Sequence, residues 1–249
     1  MSKPPAAAAN PTTYPPGPAR TRGGYDKGSA TREQLITVAT RIFAAKGFAG
    51  ATTREICQTA GVNLAAIHYY FGDKDGLYRA ALMEPIHAIT AQFGDFGDPA
   101  QPFEQAIRQI LAPLVAMALR DDDHELEVAR LHLREMLEPS PIFREIIAQE
   151  IAPLHQALAD LVARHCGLDA PDADVHQLAF AMIAMANDYC SSREFLRLLA
   201  PEVLDRADAG ERIIDRLVGY SGALLAHEQM RRQPAPTKKV SRIAKPRPR

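Results

Sequence analysis

Apolar residues recur three and four positions apart along most of the chain, which is the pattern of amphipathic helices. Near the N-terminus the pattern predicts helices at 31–47, 53–60, 64–70 and 74–84. Five longer segments follow, at 101–119, 125–138, 141–166, 174–199 and 210–231. The alternation of Val, Ile and Thr between turn residues that predicts strands is missing from the sequence. We therefore predict an all-α protein.

Capping residues indicate where the early helices begin and end. Side chains that can accept a hydrogen bond from the first helical turn stand at Thr31, Thr52, Asn63 and Asp73. The first two are followed three residues later by Gln or Glu, which is the capping-box pattern. Gly47 and Gly61 can adopt the left-handed conformation that ends a helix. Pro85 is predicted to kink or end the fourth helix.

Two of the short predicted helices, 53–60 and 64–70, are separated by only Gly61, Val62 and Asn63. This spacing is typical of a helix-turn-helix, in which the glycine reverses the chain and Val62 packs into the angle between the helices. Such a unit presents the N-terminal turn of its second helix to base edges in a major groove. A generic helical hairpin has the same spacing, so the spacing alone leaves both interpretations open.

Side chains on and after the second helix indicate what this unit would contact. Leu64, Ala65 and Ala66 are small or apolar, so they could touch thymine methyl groups but cannot form bidentate hydrogen bonds to bases. The run HYYF at 68–71 contains three polar-tipped rings that cannot all share one buried helix face. We expect at least one at the surface, where it can donate to phosphate, and the phenylalanine inside. Lys74, at the start of the next helix, adds a charge suited to phosphate.

Residues 31–82 resemble the DNA-binding domain of the TetR family of bacterial transcriptional regulators. The resemblance rests on the periodicity of the first helix and on TTREICQTAGVNLAAIHYYFGDKDGLYRAAL, with its Thr-Thr helix start, Ala-Gly-Val turn, aromatic run and Lys before Leu-Tyr. It implies a three-helix head whose DNA contacts come from one set of residues. These are Thr52, Thr53, Asn63, Leu64, Ala65, Ala66, His68, Tyr69, Tyr70 and Lys74. His68 stands where many members have tyrosine, which leaves its role open, and Tyr70 has packing against the first helix as an alternative.

A later segment, LREMLEPSPIFREIIAQEIAPLHQAL at 133–158, more loosely resembles the CecR-like subgroup of that family. The family resemblance implies that the larger C-terminal domain binds a small molecule and pairs with a second copy through its last helices, 174–199 and 210–231. A stripe of small and flexible apolar side chains follows the first of these helices, a pattern that is usually core. The stripe consists of Leu178, Ala181, Met182, Met185 and Tyr189.

Candidate ligand-contacting residues are the larger apolar or polarisable side chains of this domain. They are Phe103, Ile107, Leu111, Met117, His132, Met136, Phe143 and Phe180. For each of them, an ordinary place in the hydrophobic core is the alternative. The histidines of the domain form no i,i+4 pair beside an acid, and the three cysteines are widely spaced. We therefore expect no metal site, no disulfide framework and no cofactor.

Charge and proline content divide the chain into four parts. Residues 1–28 are rich in proline and 232–249 combine proline with lysine and arginine, so both are predicted to be disordered. Between them lie a DNA-binding head at 29–82 and a helical ligand-binding and dimerisation domain at 83–231. Up to residue 230, that domain holds 25 acidic residues against 11 arginines and no lysine, whereas the last 19 residues hold eight basic residues and no acid. The basic tail either adds phosphate contacts or serves only solubility.

These features predict a ligand-responsive repressor that binds a palindromic double-stranded operator as a homodimer and is released by a small-molecule inducer. Two recognition helices about 34 Å apart can read successive major grooves. An enzyme would need a nucleophile–base pair, a carboxylate pair or a phosphate loop, and none stands at a recognisable spacing. A helical adaptor that binds only proteins is the other alternative. The sequence shows neither a signal peptide nor an apolar run of about 18 residues, so we expect a cytoplasmic protein without membrane contact.

Overall fold

The computed structural model describes residues 22–120 and 122–233, and this part of the chain is helical without strands. The helices are α1 Arg22–Gly50, α2 Thr53–Ala60, α3 Leu64–Phe71, α4 Lys74–Thr90, α5 Phe103–Ala118, α6 Asp123–Leu137, α7 Pro141–Ile146, α8 Ala152–His165, α9 Ala173–Ser191, α10 Arg193–Leu199 and α11 Ala209–Arg232. A π-helical turn, Ile147–Ile151, joins α7 to α8. The all-α prediction is confirmed.

The first helix is longer than predicted. It begins at Arg22, so residues 22–28, which were predicted to belong to the disordered arm, are helical, and residues 1–21 lie outside the described residues. Thr31 lies inside the helix and does not start it. The nine residues before Thr31 contain no proline, the residue that would stop the helix there. Gly47 has φ 70° and ψ 173°, so the predicted glycine does interrupt the helix near its end.

Two prolines, Pro85 and Pro153, stand inside or at the end of predicted helices, where each predicts a kink or an end. The segment 141–166 forms α7 and α8 with a π turn between them instead of one helix. Pro153 lacks the N–H that would bond to the carbonyl of Gln149, and the backbone just before it takes the wider π register. Pro85 lies inside α4, which continues past it. The segment 174–199 is also divided, into α9 and α10 at Ser192.

Two hydrophobic clusters organise the described residues. The cluster of the body lies between α5, α8, α9 and α11 and includes the fully buried Ile107 and Leu161. The cluster of the head lies between α1, α2, α3 and α4, but it also takes in Leu131, Phe143 and Ile146 from α6 and α7. The core of the head therefore extends beyond the predicted 29–82 span, and α6 and α7 form its boundary with the body.

Buried polar groups join α6 to α4 at this boundary. Tyr78 Oη on α4 donates to Glu135 Oε1 on α6, and the other carboxylate oxygen accepts from the backbone N–H of Ser140 at 2.8 Å. Both ring nitrogens of His132 face carbonyl oxygens, Nδ1 at 2.9 Å within α6 and Nε2 at 3.0 Å from that of Leu82 on α4. Burial, and then the carboxylate of Glu135, raise the pKa of Tyr78. Hydrogen bonds as well as apolar packing thus fix α6 to the head.

Candidate nucleic-acid interface

The start of α2 is capped as the sequence predicts. Thr52 is extended, with φ −118° and ψ 143°, and its hydroxyl accepts from the backbone N–H of Glu55 at 3.2 Å. Instead of completing the capping box, the Glu55 carboxylate pairs with Lys46 Nζ on α1 at 2.6 Å. Thr53 is half-buried as the first residue of α2, and Thr52 is exposed. The start of α2 is thus fixed against α1 while Thr52 remains at the surface.

Three residues make the turn between α2 and α3. Gly61 adopts left-handed backbone with φ 66° and ψ 27°, a conformation that is strained for residues with a Cβ. Val62 is half-buried and packs against the head cluster, as predicted. Asn63 caps α3, because its Oδ1 accepts from the backbone N–H of Ala66 at 3.2 Å. Together these residues set the angle at which α3 leaves the head.

One face of α3 packs into the head and its first turn protrudes. Ile67 is fully buried, whereas Leu64 is 46% exposed and Ala65 lies at the surface beside it. Ala66 is half-buried. Burying Leu64 against a thymine methyl would remove apolar area from water, which is favourable. Leu64 and Ala65 are therefore exposed at the start of α3, and Ala66 is partly withdrawn into the head.

The aromatic run is divided between surface and interior. Tyr69 is 70% exposed, and its ring meets that of Tyr70 edge-on with 4.8 Å between the centroids. Tyr70 is half-buried, and a Cβ on Gly28 of α1 would stand 3.4 Å from its hydroxyl, so the alternative role against the first helix applies. His68 is exposed, with Nδ1 2.7 Å from the carbonyl oxygen of Gly72. Since a carbonyl only accepts, Nδ1 donates, and Nε2 is the ring nitrogen left for another partner.

The phenylalanine of the run lies inside, as expected, and Lys74 stands beside the same core. Phe71 packs against the head cluster, with the Arg32 guanidinium 5.4 Å from its ring centroid. Lys74 is half-buried, and its ammonium lies 4.3 Å from the ring centroid of Phe48. This cation–π contact orients the lysine. Its charge stands at the N-terminus of α4, where first-turn N–H groups favour an anion.

Arg54, the second residue of α2, is a further candidate that was not among the predicted contacts. It is exposed in the first turn of α2, two residues after the exposed Thr52, and adds a cationic group there. The signal that could have found it is its place in the first turn of a helix next to two threonines, since arginines and hydroxyls near helix starts commonly contact phosphates.

The eight candidate ligand-contacting residues do not share one cavity. Phe103, Ile107, Leu111 and Phe143 are buried in the hydrophobic clusters, Met136 and Phe180 are exposed, and His132 is held between α6 and α4. Met117 lines a cavity of about 440 Å³ at the end of α5. The ligand-binding role of these residues stays a prediction.

Residues 22–120 and 122–233 contain neither a membrane-spanning helix nor a group of metal ligands. No helix there is long and apolar enough to cross a bilayer. No three His, Cys, Asp or Glu side chains there gather as metal ligands would. Cys57, Cys166 and Cys190 are free thiols, and burial raises the pKa of each. Burial therefore keeps these thiols in their neutral form.

Both parts of the chain match known families. Residues 35–81 match the bacterial regulatory proteins of the tetR family, and residues 102–238 match the C-terminal domain of the HTH-type transcriptional dual regulator CecR. CecR of Shigella flexneri is 36% identical over 155 residues, which cover 59% of this chain and 69% of that protein. The HTH-type transcriptional repressor AcnR of Corynebacterium diphtheriae is 26% identical over 147 residues, covering 59% and 71%.

Solved structures at low identity share the fold. A bacterial regulatory protein in the tetR family from Rhodococcus RHA1 gives a TM-score of 0.57 at 19% identity, covering 78% of this chain and 96% of that one. The SmeT–triclosan complex gives 0.53 at 19% identity, covering 77% and 91%. At such identities the likeness concerns the fold alone, whereas the sequence matches span head and body. The chain therefore belongs to the TetR family of bacterial transcriptional regulators, with a C-terminal domain of the CecR type.

Proposed function

We propose that this regulator is a repressor that binds a palindromic operator as a homodimer and leaves it when a small molecule binds the helical body. The observation that carries the proposal is that α3 leaves side chains exposed next to the well-formed connection between α2 and α3. Leu64 begins this helix, Tyr69 lies further along it, and both are at the surface. Packing inside the head does not explain why these side chains are exposed, whereas contact with bases and phosphates does. The names of the relatives describe a dual regulator and a repressor, and repression is the direction we propose here.

We infer that the two copies pair through α9 and α11. Both helices pack one face on the body cluster and leave apolar side chains on the other. Phe180 on α9 is 71% exposed, and Tyr220 and Leu224 on α11 are 48% and 36% exposed. Gly219 and Ala223 are exposed next to them, so an apolar stripe follows α11. A contiguous exposed stripe of this kind marks a protein contact, and a second copy supplies the second recognition helix that a palindrome needs.

The inducer, we infer, binds in the body. SmeT, a structural neighbour at 19% identity, has been solved in complex with triclosan, which shows that this fold can hold a small molecule. The relatives are transcriptional regulators, so we propose neither catalysis nor a purely protein-binding adaptor. We place the protein in the cytoplasm, where bacterial DNA is found.

The proposal is tested with DNA that the protein itself selects from a random double-stranded library. We expect a two-fold symmetric site to be enriched. Tyr69→Ala and Lys74→Gln should weaken binding to that site while the helical fold, measured by circular dichroism, stays intact. Lys74→Gln should also reduce the slope of log affinity against log salt by about one for each phosphate that the lysine neutralises.

Arg130→Gln is the matched control for the removal of a positive charge. Arg130 is exposed on α6, away from α3, and pairs with Glu127 at 2.8 Å. Its replacement should leave the salt slope unchanged. Failure to enrich any site, or equal slopes for Lys74→Gln and the unaltered protein, would contradict the proposed interface.

A further inference from the structure

A cavity of about 440 Å³ lies where the end of α5, the start of α6 and the α9–α10 junction meet. Apolar and weakly polar side chains form part of its wall: Met117 and Ala118 from α5, Leu126 and Ala129 from α6, and Cys190 from α9. Its volume lies in the range of about 300–1,000 Å³ that small-molecule sites occupy. The cavity is therefore large enough for an organic ligand.

Charged side chains form the rest of the wall. Each charge has either an oppositely charged partner or a helix end nearby that favours it. Arg120 pairs with Glu125 at 3.0 Å, and Arg197 lies 3.9 Å from Glu194. Arg193 donates to carbonyl oxygens at the end of α5, where the helix dipole favours a cation. The two remaining carboxylates stand at the N-terminus of α6, where the dipole favours anions. A ligand thus meets three arginines and four carboxylates, with no large excess of either charge.

We propose that this cavity is the effector site, and that it takes a small amphipathic molecule, neutral or zwitterionic, whose apolar part lies against α5 and α6. This inference rests on the proposed function, because it says where the inducer of the proposed repressor binds. A polyanion such as a nucleotide fits poorly, because four carboxylates face it. A pure hydrocarbon fits poorly as well, because it would desolvate the charged groups without replacing their hydrogen bonds to water.

The helix α6 connects this cavity to the head. Leu126 and Ala129 line the cavity, whereas Leu131, later in the same helix, is fully buried in the head cluster. Further along, Glu135 accepts the hydrogen bond of Tyr78 on α4. A ligand that displaces the start of α6 therefore shifts contacts that hold α4, the helix directly after α3. Because α6 contacts both the cavity and the head, it gives a physical route by which ligand binding can affect the head.

The location is tested with prodan, 6-propionyl-2-(dimethylamino)naphthalene, a neutral amphipathic dye with a polar carbonyl whose emission shifts to the blue in apolar surroundings. We expect saturable binding of one dye per protomer. Ala129→Trp, which fills the cavity, should weaken dye binding at least tenfold. Ala152→Trp is the matched control, since Ala152 is exposed at the start of α8, outside the cavity wall. If Ala129→Trp fails to fold, Leu126→Gln replaces it, because Leu126 is 51% exposed and tolerates a polar group.

The effector role is tested by adding saturating dye to the complex of protein and selected operator. We expect operator affinity to fall by about 5- to 150-fold, and dye affinity to fall by the same factor when operator is present. Tyr78→Phe keeps the ring and removes the hydroxyl, so it should bind the dye normally but reduce that factor at least threefold. Glu135→Gln cannot accept from both Tyr78 and the backbone N–H of Ser140, because its amide nitrogen only donates, so it should lower the factor as well.

The outcomes separate the two proposals. Equal dye binding by the unaltered protein and the cavity variant would overturn the proposed location. Dye binding in the cavity without any change in operator affinity would overturn the effector role and leave the proposed function standing. Failure of the dye-free protein to bind any DNA would overturn the proposed function and the effector role with it, while the dye titration would still decide where the dye binds.

Discussion

Among single residues, Gly76 occupies the position with the least room in the head. A Cβ there would come closer than 3.0 Å to the carbonyl oxygen of Phe71, a distance that real Cβ atoms essentially never show. The end of α3 therefore lies directly on the first turn of α4. The stretch GDKDG indicated a helix end and a cap, but it carried no sign of this contact, because the backbone conformation of Gly72 and Asp73 decides how closely Phe71 approaches Gly76.

Gly76→Ala is expected to destabilise the protein by about 1–3 kcal/mol, since a backbone carbonyl must shift to admit the methyl group. Urea denaturation measures the effect. Gly222→Ala is the control, because Gly222 also lies inside a helix but a Cβ there would stand 3.7 Å from its nearest neighbour. That variant should be unchanged or up to about 1 kcal/mol more stable. Equal stabilities for the two variants would contradict the close approach of α3 to α4.

Among the elements, sequence predicted the ends of helices best where one local hydrogen bond decides them. Thr52, Asn63 and Asp73 each accept from a backbone N–H three residues later, so the prediction needed only a few neighbouring residues. Thr31 has the same pattern but no role as a cap, because nothing upstream stops α1. The exposed surface of α3 was also predictable, since a short helix with one buried isoleucine leaves its other faces outside.

The N-terminus of α9 gives a prediction about pH. Asp172 accepts from the N–H of Val175 at 3.0 Å and from both terminal nitrogens of Arg232 at 2.8 and 2.9 Å. The hydrogen bonds from Arg232, and then that from Val175, lower the pKa of Asp172 from 3.8 to about 2. Because the folded pKa lies below the unfolded one, the charged pair stabilises the fold above about pH 4 and loses this effect as the pH falls toward 2.

Asp172→Asn keeps the helix cap and removes the charge. At pH 5 to 7 the unaltered protein should have a higher melting temperature than this variant. The margin should be small because the pair is exposed. The margin should shrink between about pH 4 and pH 2, which thermal melts at a series of pH values measure. A margin that does not change with pH would show that the charge of Asp172 contributes nothing.

For the whole molecule, the division into head and body was predictable but their shared boundary was not. Helical periodicity identifies a buried face without saying which core that face enters. Leu131 and Phe143 lie far from the head in sequence, yet they pack in its cluster. Arg134 donates to the carbonyl oxygen of Ala44 at 3.5 Å, a contact between α6 and α1 with no local signal. For the same reason the candidate ligand residues, chosen by type, fell mostly into packed cores.

The position of the end of α11 also follows from the whole molecule. Gln229 Nε2 donates to the carbonyl oxygen of His165 at the end of α8, whereas Glu150, just before α8, lies 3.9 Å from His87 on α4. The end of α11 thus lies about 20 Å, one length of α8, from that contact with α4. Residues 234–249 lie outside the described residues.

Removal of residues 234–249 is expected to leave the salt slope of operator binding unchanged. The truncated chain keeps Arg232, so its pair with Asp172 at the start of α9 is preserved. Anisotropy titrations at several salt concentrations measure the slope. A shallower slope for the shorter chain would instead assign phosphate contacts to the tail.

The pairing of two copies is the last property that depends on the whole molecule. Tyr220 lies in the middle of the exposed stripe of α11, and a carboxylate there would be buried without a partner in the proposed dimer. Tyr220→Glu should therefore sediment as a monomer at concentrations where the unaltered protein is a dimer. A monomer contacts one half-site only, so operator affinity should fall at least a hundredfold while the fold, measured by circular dichroism, stays intact.

Leu137→Glu is the control, since Leu137 is 83% exposed on α6 and lies off the stripe. It places the same charge on an equally apolar position and should remain dimeric with full operator affinity. Leu137 has the exposed Leu133 and Met136 beside it on α6, so exposure does not distinguish its surface from that of Tyr220. The stripe on α11 differs because it lies on a helix that packs against α9, which carries the exposed Phe180. If Leu137→Glu were monomeric and Tyr220→Glu dimeric, the two copies would pair through the surface of α6 instead. The distance between the two recognition helices would then follow from that pairing.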